Sequence, residues 1–220
     1  MRYYQVGDKL YPSVTTVLSV IRKPGLERWR GNLGNDEADR IMYEAGNLGS
    51  TIHDICQQIN NNQPYIALDE QQGLMANAYQ AWFNSTVKEV VAVEEAIVSS
   101  IYCYAGRLDL LAVLKGDRLP TLIDIKTGNS IYADVPLQLA AYKNALAENG
   151  QKAKRRLVIH IDKKNPGKLS IKEYSDHEID LRMFLYVLEL YRYINGNYNP
   201  KPNEIVNLKE DYNNVSSVSA

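Results

Sequence analysis

The stretch Leu122-Ile123-Asp124-Ile125-Lys126-Thr127 is apolar and mostly β-branched except where one carboxylate and one ammonium interrupt it. Residues 119–126 and the preceding run, 104–114, are apolar at nearly every position (Leu108, Leu110, Leu111, Val113, Leu114, Leu122, Ile123, Ile125), the composition of strands buried on both faces. A carboxylate in such a strand is costly to bury unless it is paired or holds a cation. Asp124 and Lys126 are two apart and leave the same face of their strand. With Gly116 and Asp117 at the centre of a two-residue turn, Asp109 falls directly opposite Asp124, with the Cβ atoms about 5 Å apart. Two carboxylates so placed repel unless something positive lies between them, and Mg2+, which takes one or two carboxylates together with phosphate oxygens, meets that need. Lys126 beside them is suited to orient an attacking water or to stabilise a pentavalent phosphate. The spacing equally allows a buried Asp–Lys ion pair, with the second Asp accepting backbone hydrogen bonds. Pro120 can lengthen the turn and shift the register.

Working outward, Val90, Val91, Val93, Ile97 and Val98 predict a further strand at about 90–99. On the N-terminal side the pattern is helical. Ser13 caps a helix carrying Val14, Val17, Leu18 and Ile21, and Pro24-Gly25 ends it. A second helix is expected at about 37–44, with Gly46 and Gly49 as a turn before a third. Ser50 or Thr51 would cap that third helix, on which Ile52, Ile55, Cys56 and Ile59 recur at helical spacing. Residues 69–85 read as a fourth, with Leu74, Ala78, Ala81 and Trp82 on one side. After the hairpin come a helix at 134–148, a strand at 155–162, a strand at 168–174 behind the turn Asn165-Pro166-Gly167, and a helix at about 177–194 with Ile179, Met183, Val187, Leu190 and Tyr191 along one face. The expected class is α/β, α+β-like in its order: a short mixed sheet flanked by helices. One domain is expected over residues 1–202, with a helical part at about 11–86, a sheet core at about 87–175 and the C-terminal helix. The polar segment 203–220 is expected to be a flexible tail.

The 220 residues are 45% hydrophobic, enough to bury one sizeable core, and 25 Lys and Arg against 26 Asp and Glu leave a net charge of −1. A polyanion partner would therefore have to bind a local patch. Cys56 and Cys103 are too few for a four-thiolate metal or iron–sulfur site and read as reduced, packed thiols. No apolar run reaches the length of a membrane span and Met1 to Leu10 has no signal pattern, so the expectation is a cytoplasmic protein without a membrane partner.

Four blocks in order resemble the RecB-like branch of the PD-(D/E)XK nucleases, which includes phage exonucleases and the mitochondrial genome maintenance exonuclease. Gly49-Ser50-Thr51-Ile52-His53 resembles the family's G-x-x-x-H helix and Gly106-Arg107-Leu108-Asp109 its G-x-hydrophobic-D strand. Asp124-Ile125-Lys126-Thr127-Gly128 resembles the D-x-K-T-G strand, and Gln138-Leu139-Ala140-Ala141-Tyr142 the Q-x-x-x-Y helix. Pro12-Ser13-Val14-Thr15-Thr16-Val17-Leu18 with Leu26-Glu27-Arg28-Trp29 is similar to the leading segment of the mitochondrial and phage members.

The resemblance implies a restriction-endonuclease-like core that cuts DNA with Mg2+ or Mn2+. It implies metal ligands at His53, Asp109, Asp124 and Ile125, a further catalytic acid at Glu94 in preference to Glu95, and Lys126 as the catalytic lysine. Gln138 and Tyr142 would position that lysine and the DNA. It also implies an exonuclease on single strands or duplex ends, bacterial or encoded by a phage in a bacterial host, serving DNA repair or recombination; the same core equally serves a structure-selective endonuclease or a catalytically inactive DNA-binding module. Taken singly, His53 equally fits a packed histidine, Glu94 a solvated strand position, and Gln138 with Tyr142 an ordinary i,i+4 pair. Of the basic clusters (Arg22, Lys23, Arg28 and Arg30; Lys152, Lys154, Arg155 and Arg156; Lys163, Lys164 and Lys168), the first, interleaved with Trp29, is the expected DNA backbone contact.

Overall fold

The computed structural model describes residues 1–208. In chain order the elements are β1 (Tyr3–Val6), β2 (Lys9–Pro12), α1 (Val14–Leu18), α2 (Pro24–Leu33), α3 (Asn35–Asn60), α4 (Glu70–Thr86) and β3 (Val87–Ser99). There follow β4 (Tyr104–Leu114), β5 (Thr121–Lys126), α5 (Val135–Glu148), β6 (Arg155–Ile161), β7 (Leu169–Glu173), α6 (His177–Asn195) and, after a single 3-10 turn, β8 (Ile205–Asn207). The fold is mixed α/β. Five strands form one sheet in the order β3-β4-β5-β6-β7, and three form a smaller one in the order β2-β1-β8. In the large sheet only the β5–β6 pair is parallel, joined through α5; the other neighbours run antiparallel.

β5 is central, which is why its composition decides the fold. Leu122 joins Leu111 and Val158 in a core shared with α1, α5 and α6, whereas Ile123 and Ile125 join Leu110, Leu157 and Ile159 in a core shared with α3 and α4. Both faces of the sheet are therefore covered, as a near-continuous apolar run requires. The β4–β5 ladder pairs Leu110 with Ile123, Leu111 with Leu122 and Ala112 with Thr121. That is the register expected for a turn at Gly116-Asp117; Gly116 takes φ +88° there, and Pro120 does not shift it.

The N-terminal half departs from the expected elements in three ways. Pro24-Gly25 does not end a helix but begins α2, with Pro24 in the first turn, where its missing N–H costs nothing. Gly46 and Gly49 do not make a turn. α3 runs unbroken through both, so Ser50 and Thr51 lie inside the helix, and the Thr51 hydroxyl donates to the Asn47 carbonyl instead of capping. A helix tolerates isolated glycines at about 1 kcal/mol each when neighbouring packing holds it. Finally, residues 3–12 form a hairpin, and 205–207, expected to be tail, add a parallel strand to it. Residues 209–220 of the expected tail lie outside the described residues. Ser13 caps α1 as expected, its Oγ accepting from Thr16 N at 3.0 Å.

Two helix faces are also rotated from expectation. α4 buries Gln72, Met75, Ala76, Tyr79 and Trp82 and leaves Leu74 exposed, and α6 buries Phe184, Leu188 and Tyr191 while exposing Ile179, Met183 and Leu190. Both sequences carry apolar residues around more of the helix than packing covers, so periodicity alone does not choose the buried arc. Cys56 is buried as expected, but Cys103 is exposed. No described helix is long and apolar enough to cross a membrane.

Candidate active site

The β4–β5 ladder stops at Leu110 and Ile123, one residue short of the two acids. Beyond it the Asp109 carboxylate takes over the role of a backbone acceptor, with Ile125 N donating to its Oδ2 at 2.6 Å. On β3, Val93 pairs with Leu110 and Glu95 with Leu108, so Glu94 lies across from Asp109. Glu94 has φ +49°, a left-handed conformation uncommon for a non-glycine residue, and this interrupts the ladder at that point. From α3, His53 faces the same place, its Nδ1 3.8 Å from Asp109 Oδ2. His53, Glu94 and Asp109 each offer a ligand atom within 4.8 Å of the others. Burial, then the Asp109 charge, pushes the Glu94 carboxyl up.

Asp124 and Lys126 belong to the adjoining part of the site. Lys126 Nζ lies 2.8 and 3.0 Å from the two Asp124 carboxylate oxygens and donates to Gln138 Oε1 at 3.3 Å. Gln138 on α5 returns a bond from Nε2 to Asp124 Oδ1 at 2.9 Å and contacts the Tyr142 hydroxyl at 3.3 Å. The Asp124 carboxylate is 1% exposed, and its Oδ2 faces Lys126 without a well-directed hydrogen bond. Burial raises the Asp124 carboxyl to about 6, against the opposing pull of Lys126. For Lys126, burial pulls the ammonium down but the Asp124 and Asp109 charges outweigh it, so its pKa rises and it stays cationic.

Two glycines set the spacing. A Cβ on Gly106 would stand 2.3 Å from Tyr142 Cε1, so only glycine lets the buried Tyr142 ring lie against β4. A Cβ on Gly49 would stand 3.2 Å from Thr127 Oγ1, so this glycine brings α3 close to the end of β5. Behind Thr127, the His160 Nε2 donates to the Gly128 carbonyl at 2.6 Å and pins the turn that follows the lysine.

These groups open on one cleft of about 630 Å³. His53, Glu94, Asp109, Lys126, Gln138 and Tyr142 all line it, with Asp124 directly behind. Gly46, Gly49, Ser50, His53, Asp54 and Gln57 form one stripe of α3 along its wall at the 3-4 helical spacing. That stripe is the periodic signal the glycines obscured. Ile125 is not placed as a side-chain ligand: its side chain lies in the core towards α3 and α4, leaving only main-chain atoms for the site. Arg28 and Trp29 lie on α2 and do not line the cleft, and Arg22 and Arg30 of the same cluster pair with Glu27 and Asp39. Two further cationic side chains, Arg2 and Arg107, line the cleft; among the described residues neither forms a salt bridge, though the Arg107 charge acts on Glu94.

The arrangement suits a hard divalent cation. Two carboxylates and an imidazole converge within ligand distance of one another, and a buried carboxylate oxygen beside them lacks a well-directed hydrogen bond.

No family model matches the chain, and no curated protein matches it. Among solved structures, the chain is similar to a protein from Eubacterium rectale described as a candidate exonuclease, with 12% identity and a TM-score of 0.42 over 60% of this chain. It spans 56% of that protein's length. It is also similar to an alkaline exonuclease from Laribacter hongkongensis, with 16% identity and a TM-score of 0.38 over 84% of this chain and 92% of the other. A protein designated SSO0001 gives 17% identity and a TM-score of 0.40 over 84% of this chain and 79% of the other.

Proposed function

We propose that the chain is a divalent-metal-dependent deoxyribonuclease of the RecB-like PD-(D/E)XK type, acting as an exonuclease on single-stranded or end-frayed DNA. The observation that carries this reading is the junction, in one open cleft, of the His53–Glu94–Asp109 ligand group with the Asp124–Lys126–Gln138 network. His53, Glu94 and Asp109, with Asp124 at their edge, would hold Mg2+ or Mn2+. Bound there, the cation supplies Lewis acidity at the phosphate and lowers the pKa of a bound water.

The chain's own residues do the rest. Lys126 stays an ammonium between Asp124 and Gln138 and presents its charge to the cleft, where phosphorane charge would develop. Gln138 fixes both partners of that ion pair, and Tyr142 fixes Gln138. Arg2 and Arg107, which form no salt bridge among the described residues, would hold phosphates flanking the scissile one. The domain would extend through β8 and work in the cytoplasm of a bacterium, bacterial or phage-encoded, in DNA repair or recombination.

End-labelled single- and double-stranded DNA incubated with Mg2+ or Mn2+ should be degraded by the parent protein. Lys126→Ala should lose at least a hundredfold in rate, on the order of one transition-state charge contact. Equal cleavage by both, or no metal-dependent cleavage by the parent, would overturn the assignment. Cutting of a circular single strand would keep the nuclease and replace the exonuclease by an endonuclease.

A further inference from the structure

Beyond the cleft, a second hollow of about 330 Å³ begins at Lys126, Gly128 and Gln138, which it shares with the cleft, and runs between α1 and the segment 128–135. Its own walls include Ser19 and Ser130, uncharged hydroxyls. It shares Lys23, Tyr132 and Asp134 with a third hollow of about 260 Å³, floored by Ile21, Pro24 and Leu26 at the start of α2. The three form one track leading away from the metal-ligand group.

The charge along this track changes character. The cleft end has the Arg2 and Arg107 guanidiniums, which form no salt bridge among the described residues. The far end is charge-balanced: Lys23 pairs with Asp134 at 2.9 Å and Arg22 with Glu27 at 2.5 Å. A phosphate gains little from cations already neutralised, whereas an apolar floor with a ring wall suits a neutral aromatic heterocycle. Tyr132 is that wall. It is 44% exposed, and Lys23 Nζ lies 4.4 Å from its ring centroid, which holds the ring from one face and leaves the other for stacking.

We infer that this slot binds one unpaired nucleobase of the substrate strand, with Tyr132 as the stacking platform and the hydroxyl-lined hollow carrying the sugar–phosphate link back to the cleft. The inference rests on the nuclease reading and names the site that would select an unpaired strand. The slot lies below the size range of sites enclosing drug-sized ligands, so it admits a single base and excludes a stacked duplex.

The test is a scan of single-stranded oligonucleotides, each carrying one abasic nucleotide, digested by the full chain with Mn2+. One position relative to the cut should raise KM on the order of tenfold, the range of one base–aromatic stack. Tyr132→Ala should raise KM on the intact strand by a similar factor and abolish the sensitivity at that position, while Tyr132→Phe should preserve both. Thermal unfolding of the two variants separates a lost stack from a misfolded loop. Cleavage with no abasic-sensitive position, or a sensitivity that survives in a folded Tyr132→Ala, overturns the slot and leaves the nuclease standing. No metal-dependent cleavage of any strand overturns both.

Discussion

Glu94 holds its carboxylate in the ligand group by way of a left-handed backbone, which costs a non-glycine residue roughly 1–2 kcal/mol. Glycine is at ease there, so Glu94→Gly should leave the unfolding free energy unchanged or slightly raised, since the relieved strain offsets the roughly 0.5–1 kcal/mol that glycine costs elsewhere in a strand. Glu95→Gly, one residue on in ordinary extended backbone, should show that cost undiminished. Chemical denaturation of the two variants checks the contrast, and only Glu94→Gly should abolish cleavage. Asp109 differs because its carboxylate also completes the backbone pairing through Ile125 N. Asparagine keeps that acceptor and removes the charge. Asp109→Asn should therefore leave the metal-free protein as stable or up to about 1 kcal/mol more stable. It should lose the rise in Tm that Mn2+ gives the parent. A large drop in metal-free stability would mark Asp109 as purely structural. The pairing of Asp109 with the Asp124 strand was legible because two apolar strands and a glycine turn leave little freedom in register. Strand alternation cannot choose between Glu94 and Glu95, since the local backbone twist that swings one of them into the cleft has no sequence signature.

Among the elements, α3 is where local and tertiary preferences diverge. Its two glycines resemble a break, yet each has a different environment. A Cβ on Gly46 meets nothing within 4 Å, so Gly46→Ala should stabilise by roughly 0.5–1 kcal/mol, seen as a rise of about 1–4 °C in Tm. At Gly49 the added methyl would press on Thr127 Oγ1, so Gly49→Ala should gain less or lose stability, and its activity should fall because Thr127 follows Lys126, the proposed catalytic lysine. Equal behaviour of the two variants would show that α3 can shift away from β5 at no cost. The large sheet and α5 were readable from composition because burial on both faces leaves an unambiguous apolar run. α2, β1, β2 and β8 were not. β1 is buried but only four residues long, β2 and β8 are short and partly exposed, and α2 buries none of its residues, so none carries a readable periodicity.

For the molecule as a whole, acid sensitivity should centre on the seat of α6. His177, at its first turn, has its pKa pushed down to about 4 by burial and by the Lys143 and Arg156 charges, against the pull of Asp180. Between about pH 4 and 6.5 the unfolded chain binds this proton and the folded chain does not, so the His177 contribution to stability is complete above 6.5 and is lost as pH falls. Asp124, raised to about 6, acts in the opposite sense over much of the same window, because there the folded state holds the extra proton. The useful quantity is thus the difference between parent and His177→Gln. Stability of the parent relative to the variant should rise with pH up to about 6.5 and then level off, as measured by urea unfolding at a series of pH values. A flat difference would mean that folding leaves the His177 pKa unchanged.

The small sheet joins β1 to β2, its neighbour in sequence, and to β8, at the far end of the described chain. A ribosome releases β1 long before β8. While the five-stranded sheet and its ligand group assemble, β1 carries an open edge, and contacts of such long sequence separation are the slow ones to form. Arg2, immediately before β1, stands at the mouth of the cleft. A nascent chain therefore carries His53, Glu94 and Asp109 before one wall of the cleft is finished, and the cleft becomes whole only when residues 205–207 dock beside β1.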